Sequence, residues 1–238
     1  FYVFELPSMR CRFDLMTASD GSYGICRVIP LWNSPMWAGA QLGQVAYHSE
    51  SNWLAMADRR GRLFIMPWGQ IEAQMIDFTQ CERCPSEVTF VVTSLHFSAD
   101  GSYLAVGTGV GVFVVAIPSG EVQFAYTAPD FELAPLVRQA AFDSRNTRLA
   151  VLSTSGIVEV IDLSRKIAPR MVSEYAGQVA DIAVLYGQMA VGYQSGVVQL
   201  WQLNRDSLVL NDTFRISGNI TEIAHADHGE HLVILRTP

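Results

Sequence analysis

The feature that most restricts this 238-residue sequence is a repeat of four short strands. Its clearest copy runs from Val92 to Phe124, VTSLHFSADGSYLAVGTGVGVFVVAIPSGEVQF. Alternating residues rich in β-branched and aromatic types predict strands at Val92–Phe97, Tyr103–Val106, Val112–Ile117 and Val122–Tyr126. Between them stand Ala99-Asp100-Gly101, Gly109-Val110-Gly111 and Pro118-Ser119-Gly120, which are turn chemistry. Strands joined by turns this short can only be antiparallel neighbours. The stretch therefore reads as one four-stranded meander.

Three further stretches repeat it. Gln44–Trp68 places Val45, Tyr47, Leu54 and Gly61 on Leu95, Phe97, Leu104 and Gly111. Val137–Ser164 places Ala140, Phe142, Leu149 and Gly156 on the same four positions, and Val179–Leu203 follows after a two-residue deletion in its first turn. A fifth copy starts at Ile220 and reaches only two strands by Pro238. Phe1–Leu15, FYVFELPSMRCRFDL, has the shape of the other two: strand, Pro-Ser turn, strand. The units begin near Val45, Val92, Val137, Val179 and Ile220, about 41–47 residues apart, a period that points to propellers or other repeat arrays.

A four-stranded unit that is apolar on both faces cannot bury itself alone, whereas several units packed face to face around an axis bury one another. The expected fold is an all-β propeller of about five four-stranded antiparallel blades within a single domain, 1–238. The blades are residues 44–78, 88–127, 136–175 and 179–214, with one blade shared between residues 1–15 and 220–238. Residues 16–43 fit no blade and read as a long surface loop or a degenerate half-blade. Half of the residues are apolar and 16% are charged, against about 25% in an average globular protein, so a sizeable core is available and disorder is excluded. A net charge of −7 without a basic run argues against nucleic acid or an anionic membrane surface. No apolar run reaches the roughly 18–20 residues that span a bilayer. The first residue is Phe1 and no signal peptide is visible, so the sequence reads as a piece of something longer, or as processed.

Phe97–Gly107, FSADGSYLAVG, resembles the strand–turn–strand signature of the WD-40 repeat. Leu200–Leu203 (LWQL), Val160–Leu163 (VIDL) and Val3–Leu6 (VFEL) fall where that family places its Trp-Asp dipeptide. The resemblance covers nearly the whole chain outside Met16–Gly43. It departs from the family where an aspartate usually precedes strand three, since Arg60, Val110, Ser155 and Ser195 stand there, and the family's Gly-His pair survives only as Gly177-Gln178 and Gly218-Asn219. The resemblance implies a rigid, non-enzymatic platform for protein or peptide partners, or for other domains of the same polypeptide, with no cofactor. The same family also supplies sensing or autoinhibitory ends of multidomain signalling proteins.

One position of the first strand is polar in every one of the five units: Gln44, Ser94, Gln139, Asp181 and Glu222. Strand one of a propeller blade is the innermost, so these side chains are expected to line a water-filled channel, one rim of which binds a ligand or a partner's side chain. Asp181 and Glu222 come from successive units and are the residues a glycoside-cleaving carboxylate pair would use. Nothing in the sequence raises the pKa of either. Trp32, Met36 and Trp37 make the 16–43 insertion apolar enough for a contact surface, and Trp32, Trp37 or Trp53 are the stacking platforms a glycan-binding reading requires. Cys81 and Cys84 form a CxxC that reads as half a zinc site, a redox pair, a disulfide or unlinked thiols. His225, His228 and His231 fall on Phe97, Asp100 and Tyr103 of the repeat, so alternation scatters them, and no metal is expected. No phosphate loop, zinc helix or nucleophile elbow is present. The acidic balance points to neutral or basic partners.

Overall fold

The computed structural model of the protein describes residues 42–70, 73–77, 91–127, 137–143, 145–165, 170–172, 178–185, 187–204, 207–226 and 231–237. All of these belong to the second of the chain's two compact units, Gln41–Pro238. Phe1–Leu15, Trp32, Met36, Trp37, Cys81, Cys84 and His228 lie outside the described residues, as does the 16–43 insertion up to its last two positions.

The described residues hold no helix. The first sheet is β1 (Leu42–His48), β2 (Trp53–Asp58), β3 (Arg62–Pro67) and β4 (Gln74–Asp77). The second is β5 (Val92–Phe97), β6 (Tyr103–Thr108), β7 (Gly111–Ala116) and β8 (Val122–Thr127). The third comprises β9 (Val137–Phe142), β10 (Arg148–Ser153), β11 (Ile157–Asp162) and β12 (Arg170–Val172), and the fourth β13 (Val179–Leu185), β14 (Gln188–Tyr193), β15 (Val197–Leu203) and β16 (Leu208–Arg215). A fifth, two-stranded sheet joins β17 (Asn219–Ala226) to β18 (His231–Thr237). In every sheet sequence neighbours pair antiparallel and in order. The four meanders expected from the repeat are therefore present, and in the Val92–Phe124 copy the strand ends fall within about two residues of those read from the sequence.

The sheets stack as propeller blades. Their first strands are neighbours in sequence order, β1 beside β5, β5 beside β9, β9 beside β13 and β13 beside β17. Each interface between sheets is one apolar cluster. Ala55, Ala57, Leu63 and Ile65 of the first sheet meet Val92, Leu104, Val106 and Phe113 of the second. Ala105, Val112 and Val114 then meet Ala140, Phe142 and Leu149. Ala150, Leu152 and Val158 meet Ile182, Val191 and Tyr193, and Ala190 and Val198 meet Ile220 and Ile223. Strands two and three of the second sheet are buried on both sides because that sheet is covered on one face by the first and on the other by the third. That is why their sequences are continuous apolar runs rather than alternating ones.

The strand-two-to-three turns need a left-handed residue, and Gly61, Gly156 and Gly196 supply it at φ of 80°, 80° and 81°, a conformation that costs glycine little. Gly192 has a different reason. A Cβ there would press into Ile223 and Ile220 of the next sheet. Gly192→Val is expected to cost about 1–3 kcal/mol by overpacking, read as a lowered urea midpoint with an unchanged slope.

Candidate functional site

The first strands share a local irregularity that places the polar stripe. Each pairs with strand two through a register shift that skips one residue: Gly43, Thr93, Arg138, Ala180 and Thr221. A β-bulge of this kind bends its strand and re-aims the side chains beside it. The residue that follows the skipped one is in each case a member of the stripe: Gln44, Ser94, Gln139, Asp181 or Glu222.

Two of these five reach the next blade. Gln139 donates from Nε2 to the Ile182 carbonyl at 3.1 Å, and its Oε1 lies 3.4 Å from the Ile182 amide. Asp181 accepts the Ile182 amide on Oδ1 at 2.9 Å and, across the blade boundary, the Ile223 amide on Oδ2 at 2.7 Å. Only 8% of Asp181 is exposed. Burial raises the pKa of its carboxyl, against the pull of the Ile223 and Ile182 amides, Gln139 and the Arg138 charge. Ser94 turns its buried hydroxyl toward Gly107. Gln44 is half-buried opposite Ala57, and Glu222 is exposed opposite Leu235.

The skipped residues add a second set of clips that sequence reasoning missed. Thr93 Oγ1 donates to the Val137 carbonyl of the next blade. Arg138 does the same from both terminal nitrogens, to Val179 O and Ala180 O at 2.6 Å each. No shared residue type marks this position, so an alignment of the units carries no signal for it. From the second blade onward, successive blades are thus joined by side chain-to-backbone hydrogen bonds around the first strands as well as by apolar packing.

The aspartate missing before strand three is replaced two positions earlier. Asp58, at the end of β2, accepts the Arg60 and Arg62 amides on Oδ1 at 2.9 Å each and the Arg62 Nε on Oδ2 at 2.7 Å. Thr108 and Ser153 occupy the same place and cap their turns with hydroxyls at Val110 and Ile157. The column Asp58, Thr108, Ser153 is visible in the aligned repeats, though its capping role is not. On the opposite rim the strand-one-to-two turns touch one another: His48 Nε2 lies 3.1 Å from the Ala99 carbonyl. Burial alone would raise the pKa of Asp100, but hydrogen bonds from Ser102, Ser98 and Asn146 outweigh it and hold the carboxyl at about 2.

Among the described residues no group of three His, Cys, Asp or Glu side chains is placed to hold a metal, and no helix is long and apolar enough to cross a membrane. Trp53 is half-buried and packs into the cluster between the first two sheets. Asp162, in the Trp-Asp slot of VIDL, closes a turn by accepting the Ser164 and Arg165 amides.

No family model matches the chain. Among curated proteins it is similar to Abnormal embryogenesis protein 30 of Caenorhabditis elegans, 24% identical over 140 residues, which is 54% of this chain and 14% of that protein. Among solved structures it is similar to a chain in the crystal structure of a mitotic checkpoint complex, with a TM-score of 0.61 and 18% identity over 81% of this chain and 56% of that one. The chain thus spans about a seventh of the curated relative and little more than half of the solved one. The structural likeness shows the fold, a WD40-like arrangement of four-stranded blades.

Proposed function

We propose that this chain is a non-catalytic protein-interaction propeller of about five blades that works as a scaffold or sensor within a larger protein or assembly. The observation that carries the reading is how the innermost polar side chains are used. Both oxygens of Asp181 are committed to backbone amides, and Gln139 and Arg138 are likewise committed to the next blade. These groups build a rigid frame; a carboxylate so bound is poorly placed to act as a nucleophile or general acid. What a partner can reach is the rim where the first strands begin, with Glu222 exposed and Gln44 half-exposed.

Two likenesses support the reading without carrying it. The solved neighbour is a chain of a protein complex, and the curated relative is several times longer than the part that matches. The fifth blade is proposed from sequence: β17–β18 supplies two strands, and Phe1–Leu15 has the pattern of the other two.

The test is affinity capture with the full chain as bait, followed by light scattering on the eluted complex, beside a screen for glycan binding and glycoside hydrolysis. A stoichiometric protein partner, weakened by combined Gln44→Ala and Glu222→Ala substitutions, is the expected result. Turnover of any glycoside, or glycan binding in the absence of a protein partner, overturns it.

A further inference from the structure

We propose that the strand-two-to-three turn of the first blade is a docking point for an acidic segment of a partner protein, held by Arg59 and Arg60; this rests on the platform reading above. The four described turns of this type join the same pair of strands and carry different tips. Three carry uncharged pairs: Gly109-Val110, Thr154-Ser155 and Gln194-Ser195. The first carries two adjacent arginines, both exposed. Neither guanidinium has a hydrogen bond or ion pair among the described residues.

The turn beneath them is fixed. Asp58 is 1% exposed. It accepts the Arg60 and Arg62 amides and is ion-paired with the Arg62 guanidinium at 2.6 Å, while the Gly61 amide closes the turn on the Asp58 carbonyl at 3.2 Å. The third arginine of Arg59-Arg60-Gly61-Arg62 is therefore spent on holding the turn, and the first two are presented at its tip. A pre-set backbone lowers the ordering cost of binding. Two guanidiniums side by side match carboxylates, each of which accepts a forked pair of hydrogen bonds.

The surroundings do not compete for them. The register puts this turn at the rim where the first strands begin, because Leu42 pairs with Asp58 and Val92 with Thr108. Of the described acidic side chains, Glu222 is exposed at this rim, whereas Glu50, Asp100 and Glu121 sit on turns of the opposite one. Arg138, Arg215 and Arg236 are exposed at the same rim on other blades. The overall charge of −7 pointed to a neutral or basic partner. The local distribution of guanidiniums points the other way for this rim.

The experiment uses the full chain and a fluorescein-labelled peptide of alternating glutamate and serine, read by fluorescence anisotropy. Arg59→Glu/Arg60→Glu is expected to weaken binding by about tenfold or more, and Arg59→Lys/Arg60→Lys by less, since the charge is kept and the fork is lost. Raising salt from about 50 to about 200 mM is expected to weaken the wild type more than the charge-reversed variant. Both substitutions lie at an exposed turn tip, and an unchanged melting curve confirms that the variant is folded. No binding by the wild type, equal binding by the charge-reversed variant, or equally tight binding of a single-stranded oligonucleotide overturns the proposal. A protein partner captured equally well by the wild type and the charge-reversed chain overturns it too, while leaving the platform reading standing.

Discussion

Asp181→Ala is expected to destabilise the fold by about 2–4 kcal/mol, because it leaves the Ile223 amide buried without an acceptor at the joint between the fourth blade and β17. For a chain of this size that is a fall in melting temperature of roughly 5–15 °C. The Ile182 amide keeps a weaker partner in Gln139 Oε1 at 3.4 Å, so the loss falls on the boundary with β17. Asp181→Asn retains one acceptor oxygen and is expected to lie between the variant and the wild type. The pH dependence has a definite sign. Burial holds the folded carboxyl above its ordinary pKa, so between that raised value and the ordinary carboxylate range the folded state binds the extra proton. The wild type therefore gains stability over Asp181→Ala as pH falls from 7 toward about 4, and the gain levels off below. Urea melts of both proteins across that range measure it; a difference that shrinks on acidification contradicts the assignment.

Deleting Phe1–Leu15 is expected to have a larger effect, the loss of a cooperative monomeric fold. The second strand of the fifth sheet pairs only with β17 among the described residues. It leaves Val233 and Leu235 44% and 53% exposed. A strand with an open edge and apolar side chains in water is a template for pairing with other chains, and the strand–turn–strand pattern of Phe1–Leu15 is the piece of sequence proposed to occupy that edge. The truncated protein should elute as aggregates and melt without a single transition. A monomer with a near-native, cooperative melt would remove the shared blade from the proposal.

The strands were legible because their signal is local. Alternation in Val92–Phe97 and the glycines of the turns mark a four-stranded unit without reference to anything outside it, and the copies confirm one another. The polar stripe was legible as a column, since Gln44, Ser94, Gln139, Asp181 and Glu222 align. What Gln139 and Asp181 do was not, because their partners are main-chain groups of a different repeat, and a backbone amide has no identity in a sequence. Thr93 and Arg138 were hidden further: the register shift that aims them is a property of paired strands, and the residue types at that column differ from unit to unit. Arg60 was read only as a place where a family aspartate was missing, and Arg59 was not singled out. Their exposure follows from the buried Asp58–Arg62 pair, which sits one turn of chain away from where the aspartate was sought.

The clips between blades run from a side chain on one unit to the main chain of the next. The donor unit must keep a suitable residue; the receiving unit need only present a peptide group, which every sequence does. Copies of such a unit, once duplicated, are free to diverge on the receiving side without any compensating change in their neighbour. Sequence drift among the repeats is then cheap for the joints, and the visible motif can fade to the remnants seen in LWQL and VIDL while the stacked architecture persists.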